Sequence, residues 1–213
     1  MKIVKPSFSI LNNIDGDEVL KAIEAAGRTC YKSEATITSD SAIKFVNNIL
    51  KRNHESVLEH QSVSVRIVCD RGVSHEIVRH RIASYSQEST RFCNYCKEKF
   101  EGHITLIHPS GLTEQQYKRR EEHFWAVQRL YDEEINEGIS PQIARGILPT
   151  ALKTEIVVTM NLREWRHFFK LRAAGTAGKP HPQMLEITVP MLEAFKKLIA
   201  IVFDDITIDR GTL

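Results

Sequence analysis

Apolar residues recur along the chain with two periods, one of two residues and one near 3.6. Over residues 62–68, Val63, Val65 and Ile67 fall on one side, which predicts a half-buried strand. Ile156, Val158 and Met160 repeat the pattern and predict a second strand. Helical spacing appears over 16–26, with Val19, Ile23 and Ala26 on one face, and again after the capping pair Ser39-Asp40, with Ile43, Val46 and Leu50. A helix following Gly72 is expected to run through Val73, Ile77 and Val78 into Arg79, His80 and Arg81. The longest helix opens on the capping box Thr113-Glu-Gln-Gln116, carries Tyr117, Phe124, Val127, Tyr131 and Ile135 as its stripe, and stops at Gly138. Ser140-Pro141 starts a short helix, with proline at its first position. Asn161, with Glu164 three residues on, caps another. Residues 175–182 read as a loop, and a last helix over 184–202 contains Pro190, which should kink or divide it. The mixture predicts an α/β or α+β fold, a mixed or antiparallel sheet flanked by helices. No linker interrupts it, so one domain over 1–213 is expected.

Composition narrows the partners. At 213 residues the chain is long enough to bury roughly 70% of its unfolded surface, so it needs no disulfide or metal to fold. Lysine plus arginine number 29 against 27 acidic residues, a formal charge of +2. A bulk electrostatic nucleic-acid binder carries more, so any anion site must be a local cluster. No run approaches ~18 apolar residues, which argues against a membrane helix. The first residues, Met1 to Pro6, lack the apolar core of a signal peptide, and the expected compartment is the cytoplasm. Cys30, Cys69, Cys93 and Cys96 suit a reducing environment. Cys93 and Cys96 form a single C-x-x-C with no second pair, so no metal site is expected. Common nucleotide motifs are missing. There is no G-x-G-x-x-G, and Gly175-Thr-Ala-Gly178-Lys179 is followed by Pro180 where a phosphate loop needs Ser or Thr. His54-Glu55 lacks the second histidine of a zinc protease, because Leu58 stands there.

Two basic segments carry candidate chemistry. Residues 79–91 set Arg79, Arg81 and Arg91 against Glu88, with Ser84, Ser86, Gln87 and Ser89 as neutral hydrogen-bonding groups. Arginine forks pair bidentately with phosphates, although a solvated helix end would look the same. Successive helical side chains diverge by ~100°, so Arg79, His80 and Arg81 would need a large ligand or several ligands, for which sharing between subunits is one arrangement. Residues 161–172 set Arg163, Arg166, Lys170 and Arg172 against Glu164. Arg163 and His167 share a face, at a helix start that attracts anions. Arg172 points to the opposite side, and the plainer alternative is a charged face over Leu162, Trp165 and Phe169. Arg145 stands in an apolar stretch, although a simple surface arginine is the more frequent case there. Two other classes compete with an enzyme: a nucleotide- or RNA-binding module stacking bases on Tyr85, Phe92 and Tyr95, and a zinc protein using Cys93 and Cys96.

Arg79-His80-Arg81, seven residues and then Ser89 resembles the R-H-R-x7-S signature of flavin-dependent thymidylate synthases. His54-Glu-Ser-Val-Leu-Glu-His60, Ala144-Arg145 before Leu148-Pro149, and Asn161 and Arg163 before Leu171-Arg172 resemble the same family in order and spacing. The resemblance implies an α/β homotetramer with active sites at subunit interfaces. It implies synthesis of dTMP from dUMP, with 5,10-methylenetetrahydrofolate as carbon donor and an NADPH-reduced FAD as hydride source. By position, Ser56, Arg79, His80, Arg81, Gln87, Asn161, Arg163 and His167 would contact FAD. Glu76, Arg79, Gln87, Glu88, Ser89, Arg91, Arg145 and Arg172 would surround dUMP. Arg172 matches the arginine that favours ionised N3 of the pyrimidine. The partners so implied are small molecules and further copies of the chain, with no nucleic acid and no membrane.

Some positions depart from the family pattern. Glu76 and Gln87 stand where glutamine and glutamate are frequent, His167 where asparagine occurs, and Phe92 where tyrosine is common. Ser89 has no adjacent base in the sequence, and hydride delivery by a flavin needs no protein nucleophile, so Ser89 is assigned to binding.

Overall fold

The structure is a computed structural model and describes residues 1–208. Its strands are β1 Lys2–Val4, β2 Ser7–Ile10, β3 Ser62–Asp70, β4 Ala83–Gln87, β5 Thr105–Ile107 and β6 Lys153–Asn161. Its α-helices are α1 Gly16–Thr29, α2 Ser41–Lys51, α3 Arg71–Ile77, α4 Glu114–Asn136, α5 Pro141–Ala144, α6 Leu162–Arg172 and α7 Pro182–Leu198. One sheet has the order β2-β3-β6-β4, and β1 pairs in parallel with β5, Ile3 opposite Leu106. The expected mixed α/β class is what forms. The chain divides into two compact units, the first comprising Met1–Ser7, Ile67–Arg79 and Ser86–Ile156, the second Phe8–Arg66, His80–Tyr85 and the chain from Val157 onward.

The first unit is built on Tyr95, Ile104, Leu106, Tyr131, Ala144 and Leu152. The capping box of α4 forms as expected: Thr113 Oγ1 accepts from the Gln116 amide, and Gln116 Oε1 accepts from that of Thr113. Within the predicted stripe only Tyr131 is fully buried, and it is joined by a polar residue, Gln128. Gln128 satisfies both ends of its amide, accepting from the Ile104 N–H at 2.7 Å and donating to Asp132 at 2.7 Å. That is why a hydrophobic pattern does not reveal it. Gly138 follows α4 with φ +88°, a left-handed end that glycine adopts without strain.

Aromatic packing dominates the second unit. Trp165 and Phe169 of α6 meet Phe195 of α7, Phe169 also meets Phe203, Phe168 packs on Trp165 and Phe169, and the Trp165 indole donates to the Val63 carbonyl at 3.0 Å. The buried face of α2 is Ala42, Val46 and Ile49, while Ile43 is 50% exposed. Val46 is buried as the spacing predicts, while Ala42 and Ile49 take the places expected for Ile43 and Leu50. A tether fixes this face: Glu24 of α1, itself buried, accepts from Arg28 and from Ser41 at the start of α2, both at 2.7 Å. Asp40 does sit at the cap position, but its carboxylate accepts from Thr38 instead of capping α2. Gly16 begins α1 against the end of α7, where a Cβ would stand 2.2 Å from the Leu198 carbonyl oxygen. Helix α7 starts at Pro182, ends at Leu198 and continues unbroken past Pro190, so the expected division does not occur.

The region of Arg79 departs most from expectation. Helix α3 is capped by Asp70, which accepts from the Val73 N–H, and ends at Ile77. Val78 and Arg79 form a turn, and His80 to Ile82 are irregular before β4. Arg79, His80 and Arg81 therefore do not lie on a helix. Strand β4 was not foreseen: it is an edge strand with no fully buried residue, so its sequence shows no apolar alternation.

Candidate active site

Helix α6 organises the candidate site of the second unit. Asn161 Oδ1 accepts from the Glu164 N–H at 2.8 Å and caps the helix, as the sequence predicts. Leu162, Trp165, Phe168 and Phe169 anchor its apolar face. The remaining face borders a cavity of about 390 Å³ lined by Asn161, Arg163, Glu164, His167 and Lys170, with Glu55, Glu59 and Ile82. Three of the residues expected at the flavin, Asn161, Arg163 and His167, are thus brought together at a helix N-terminus, where partial positive charge favours anions. The carboxylates here already have partners. Glu59 holds Arg163 at 2.5 Å, Glu55 holds the buried Arg166 at 3.0 Å, and Glu164 holds His80. Ser56 does not line this cavity. It lies on the 3-10 turn Glu55–His60 and borders a second cavity of about 340 Å³ with Arg28, Phe45, Arg52 and His54.

His80 sits beneath this face, 4% exposed. Its Nδ1 is 3.0 Å from Glu164 Oε1, and its Nε2 accepts from Arg172 Nε at 3.3 Å. Arginine offers only donors, so Nε2 must carry the lone pair and Nδ1 the proton. Burial holds the His80 pKa below its ordinary value; the nearby charges of Arg172 and His167 act the same way, against the opposing pull of Glu164. The imidazole is therefore neutral near pH 7, with both nitrogens engaged. Phe168 packs against the ring at 4.9 Å, and Thr188 Oγ1 donates to the Arg172 carbonyl at 2.7 Å. The Tyr85 hydroxyl donates to the His80 carbonyl, and burial, aided by Glu164, pushes its pKa up to about 12. Ligand atoms of His80, Glu164 and His167 lie within 4.8 Å of one another. In this arrangement the two ring nitrogens of His80 are already hydrogen-bonded to protein groups.

The first unit holds most residues expected around dUMP. Gln87 Nε2 donates to Ser74 Oγ at 2.9 Å and Thr154 Oγ1 at 3.1 Å, which commits both of its N–H bonds. Glu88 accepts from the Tyr95 hydroxyl and from Lys153, both at 2.9 Å, and Lys153 also reaches Glu155 at 2.6 Å. Burial works against the lysine charge, but its hydrogen bonds to the Glu155 and Glu88 carboxylates outweigh this and raise the Lys153 pKa. Ser89 Oγ accepts from the Arg91 N–H at 3.3 Å, and no histidine bonds to Ser89 among the described residues. Arg145 Nη1 lies 3.4 Å from Thr90 Oγ1, Glu76 is half-buried on the last turn of α3, and Arg79, Arg81 and Arg91 are exposed. Sequence reasoning missed Lys153, Tyr95 and Glu164 as parts of these networks. Lys153 and Glu155 alternate with buried Thr154 and Ile156 in β6, and that two-residue spacing is the signal that could have paired them.

The competing classes lose support. Of the three aromatics proposed to stack bases, Tyr95 is 4% exposed and bonded to Glu88, Tyr85 is bonded to His80, and only Phe92, 76% exposed, presents a ring to solvent. The Cys96 thiol donates to Asp132 at 3.2 Å, burial pushes its pKa up to about 11, and all four cysteines are free. No helix is long and apolar enough among the described residues to cross a membrane.

Residues 12–199 match the family described as thymidylate synthase complementing protein. The chain is 37% identical over 174 residues to the flavin-dependent thymidylate synthase of Pyrococcus furiosus, covering 80% of this chain and 69% of that protein. It is 33% identical over 193 residues to the enzyme of that name from Geobacter sulfurreducens, covering 86% and 80%. A crystal structure of the UMP/dUMP methylase PolB from Streptomyces cacaoi, bound with 5-Br dUMP, superposes with a TM-score of 0.80. That match covers 96% of both chains at 18% identity, so it supports the fold. These likenesses extend over most of this chain: the chain belongs to the flavin-dependent thymidylate synthase family.

Proposed function

We propose that the protein converts dUMP to dTMP, taking carbon from 5,10-methylenetetrahydrofolate and a hydride from an FAD that NADPH reduces. One observation carries the reading: α6 presents Asn161, Arg163 and His167 around a cavity and, from its last turn, Arg172 on a neutral His80. The donor set suits a flavin dinucleotide. An amide, a guanidinium, an imidazole and the Lys170 ammonium face the cavity, and its three carboxylates are paired with Arg163, Arg166 and His80. At about 390 Å³ the cavity lies near the lower end of the ~300–1,000 Å³ usual for such sites. It therefore suits part of the cofactor, the rest being held elsewhere, including by other copies of the chain. The family resemblance further implies a homotetramer, and the reading places it on diffusible nucleotides in the cytoplasm, each chain serving as one catalytic domain.

When bound, the flavin supplies the electron pair that takes the transferred carbon to the methyl level. The chain's own groups bind and polarise. Arg172 stabilises negative charge at N3 of the uracil and its flanking oxygens, which raises electron density at C5. Arg91, Arg145 and Ser89 bind dUMP, with Glu76, Gln87 and Glu88 completing its surroundings. Arg79 and Arg81, exposed between α3 and β4, reach ligands shared between chains. The test is the absorbance spectrum of purified protein. A flavin spectrum that survives desalting, or returns when FAD is added, supports the reading, and failure to bind FAD at saturating concentration contradicts it.

A further inference from the structure

Glu164 has no place in the roles assigned above, yet it is buried at the centre of the polar cluster of α6. We propose that Glu164, acting through His80, is a positioning residue for Arg172, a role that rests on Arg172 being the arginine that acts on the pyrimidine. Three links carry the proposal. The cap at Asn161 fixes the Glu164 backbone at 2.8 Å. Glu164 Oε1 lies 3.0 Å from His80 Nδ1, and His80 Nε2 receives the Nε–H of Arg172 at 3.3 Å.

The chemistry runs in one direction. A neutral imidazole has one donor nitrogen and one acceptor, and a carboxylate accepts only. Glu164 therefore holds the proton on Nδ1, which leaves the Nε2 lone pair facing Arg172. In the other tautomer, or in the imidazolium, an N–H would face the Arg172 N–H and the contact would break. A carboxylate fixing the tautomer of a histidine is a known way to orient a group that the histidine meets. Arg172 has several rotatable bonds, and the bond from Nε to His80 restrains the plane of its guanidinium. The groups around His80 are Glu164, His167 and Arg172 from α6, with the Phe168 ring against it. Glu164 supplies the carboxylate among them.

A double-mutant cycle on the FAD-loaded, full-length protein tests the relay. Glu164→Leu removes the acceptor, and Glu164→Gln keeps the volume and a neutral acceptor in case leucine disturbs folding. Glu164→Leu should lower dTMP turnover at saturating dUMP about tenfold, a typical loss for groups that orient a reactive partner. Glu164→Gln should lose less, and the flavin spectrum should be retained in both. In an Arg172→Ala background the Glu164 substitution should cost nothing further, because the group it orients is gone. An independent readout is ¹⁵N NMR of the histidine rings. His80 should keep its proton on Nδ1 in Arg172→Ala, where Glu164 alone selects that tautomer, and lose the preference when Glu164→Leu is added. Fully additive losses, or a His80 tautomer that Glu164→Leu leaves unchanged in the Arg172→Ala background, overturn the relay while leaving the role of Arg172 intact. Near-wild-type turnover of Arg172→Ala overturns that role and the relay with it.

Discussion

Arg172 and His80 meet donor to lone pair: Nε of the guanidinium lies 3.3 Å from Nε2 of an imidazole that is 4% exposed. The contact works only while His80 is neutral, and burial keeps it so. A cation that cannot be deprotonated near pH 7 is thus held by a group whose own charge is suppressed. That suits stabilisation of developing negative charge on a substrate ring.

If Arg172 activates the pyrimidine, Arg172→Ala should lower dTMP turnover by roughly 10²–10³, the usual loss when one dedicated donor to developing negative charge is removed. Arg172→Lys keeps the charge without the planar fork and should recover only part. Reduction of the bound flavin by NADPH should persist in both, because the cavity residues are untouched. Stopped-flow flavin bleaching and dTMP formation, measured separately at saturating dUMP, check this.

The two sets of ligand residues should separate in binding. Arg163→Ala and His167→Ala remove donors from the α6 cavity and should weaken FAD retention more than dUMP affinity. Arg145→Ala should do the reverse. Titrations of each variant with each ligand decide the matter, and equal losses for both ligands in all three would refute the assignment.

His80 gives the fold a pH dependence with a definite sign. Its folded pKa is depressed below the ordinary 6.5, first by burial. The unfolded chain therefore takes up a proton before the folded one as pH falls. The stability from keeping His80 neutral is complete above about pH 6.5 and declines as pH falls from there to the folded pKa. Melting temperature measured from pH 8 to pH 5 should fall below about 6.5, and His80→Gln should flatten that part of the profile.

Arg166 is fully buried, and it donates to Glu55, to both carboxylate oxygens of Asp205 and to the Val202 carbonyl. Arg166→Met should destabilise the protein by about 3 kcal/mol, because it leaves carboxylates without their cation; the exposure of Asp205 keeps the loss at the lower end. Burial opposes the Asp205 charge, but the hydrogen bond and charge of Arg166 outweigh it and hold the Asp205 pKa below its usual value. That stability is present above about pH 4 and lost as pH falls through the folded pKa. Urea denaturation at pH 7 and pH 3 should show the wild-type advantage over Arg166→Met shrinking at the lower pH.

Strands β3 and β6 and the caps of α4 and α6 were legible in the sequence because each is a local rule. Alternation over Val63 to Ile67, the Thr113–Gln116 box and the Asn161 cap depend on neighbours within a few residues. The face of α2 was not legible, because it is set by Glu24 of another helix, 17 residues from Ser41. Nor was β4, whose edge position removes the pattern that marks a strand. In the site, the residue types and their order pointed to Arg163, His167 and Arg172. Glu164 stayed hidden because its partner His80 lies 84 residues away in the chain.

The most direct test of the account is product formation by purified protein supplied with dUMP, 5,10-methylenetetrahydrofolate and NADPH, before and after removal of flavin. The account predicts that dTMP forms with tetrahydrofolate, not dihydrofolate, as coproduct. It also predicts that activity disappears with the flavin and returns on adding FAD. No dTMP from the FAD-loaded protein, or undiminished dTMP formation after the flavin is stripped, would contradict it.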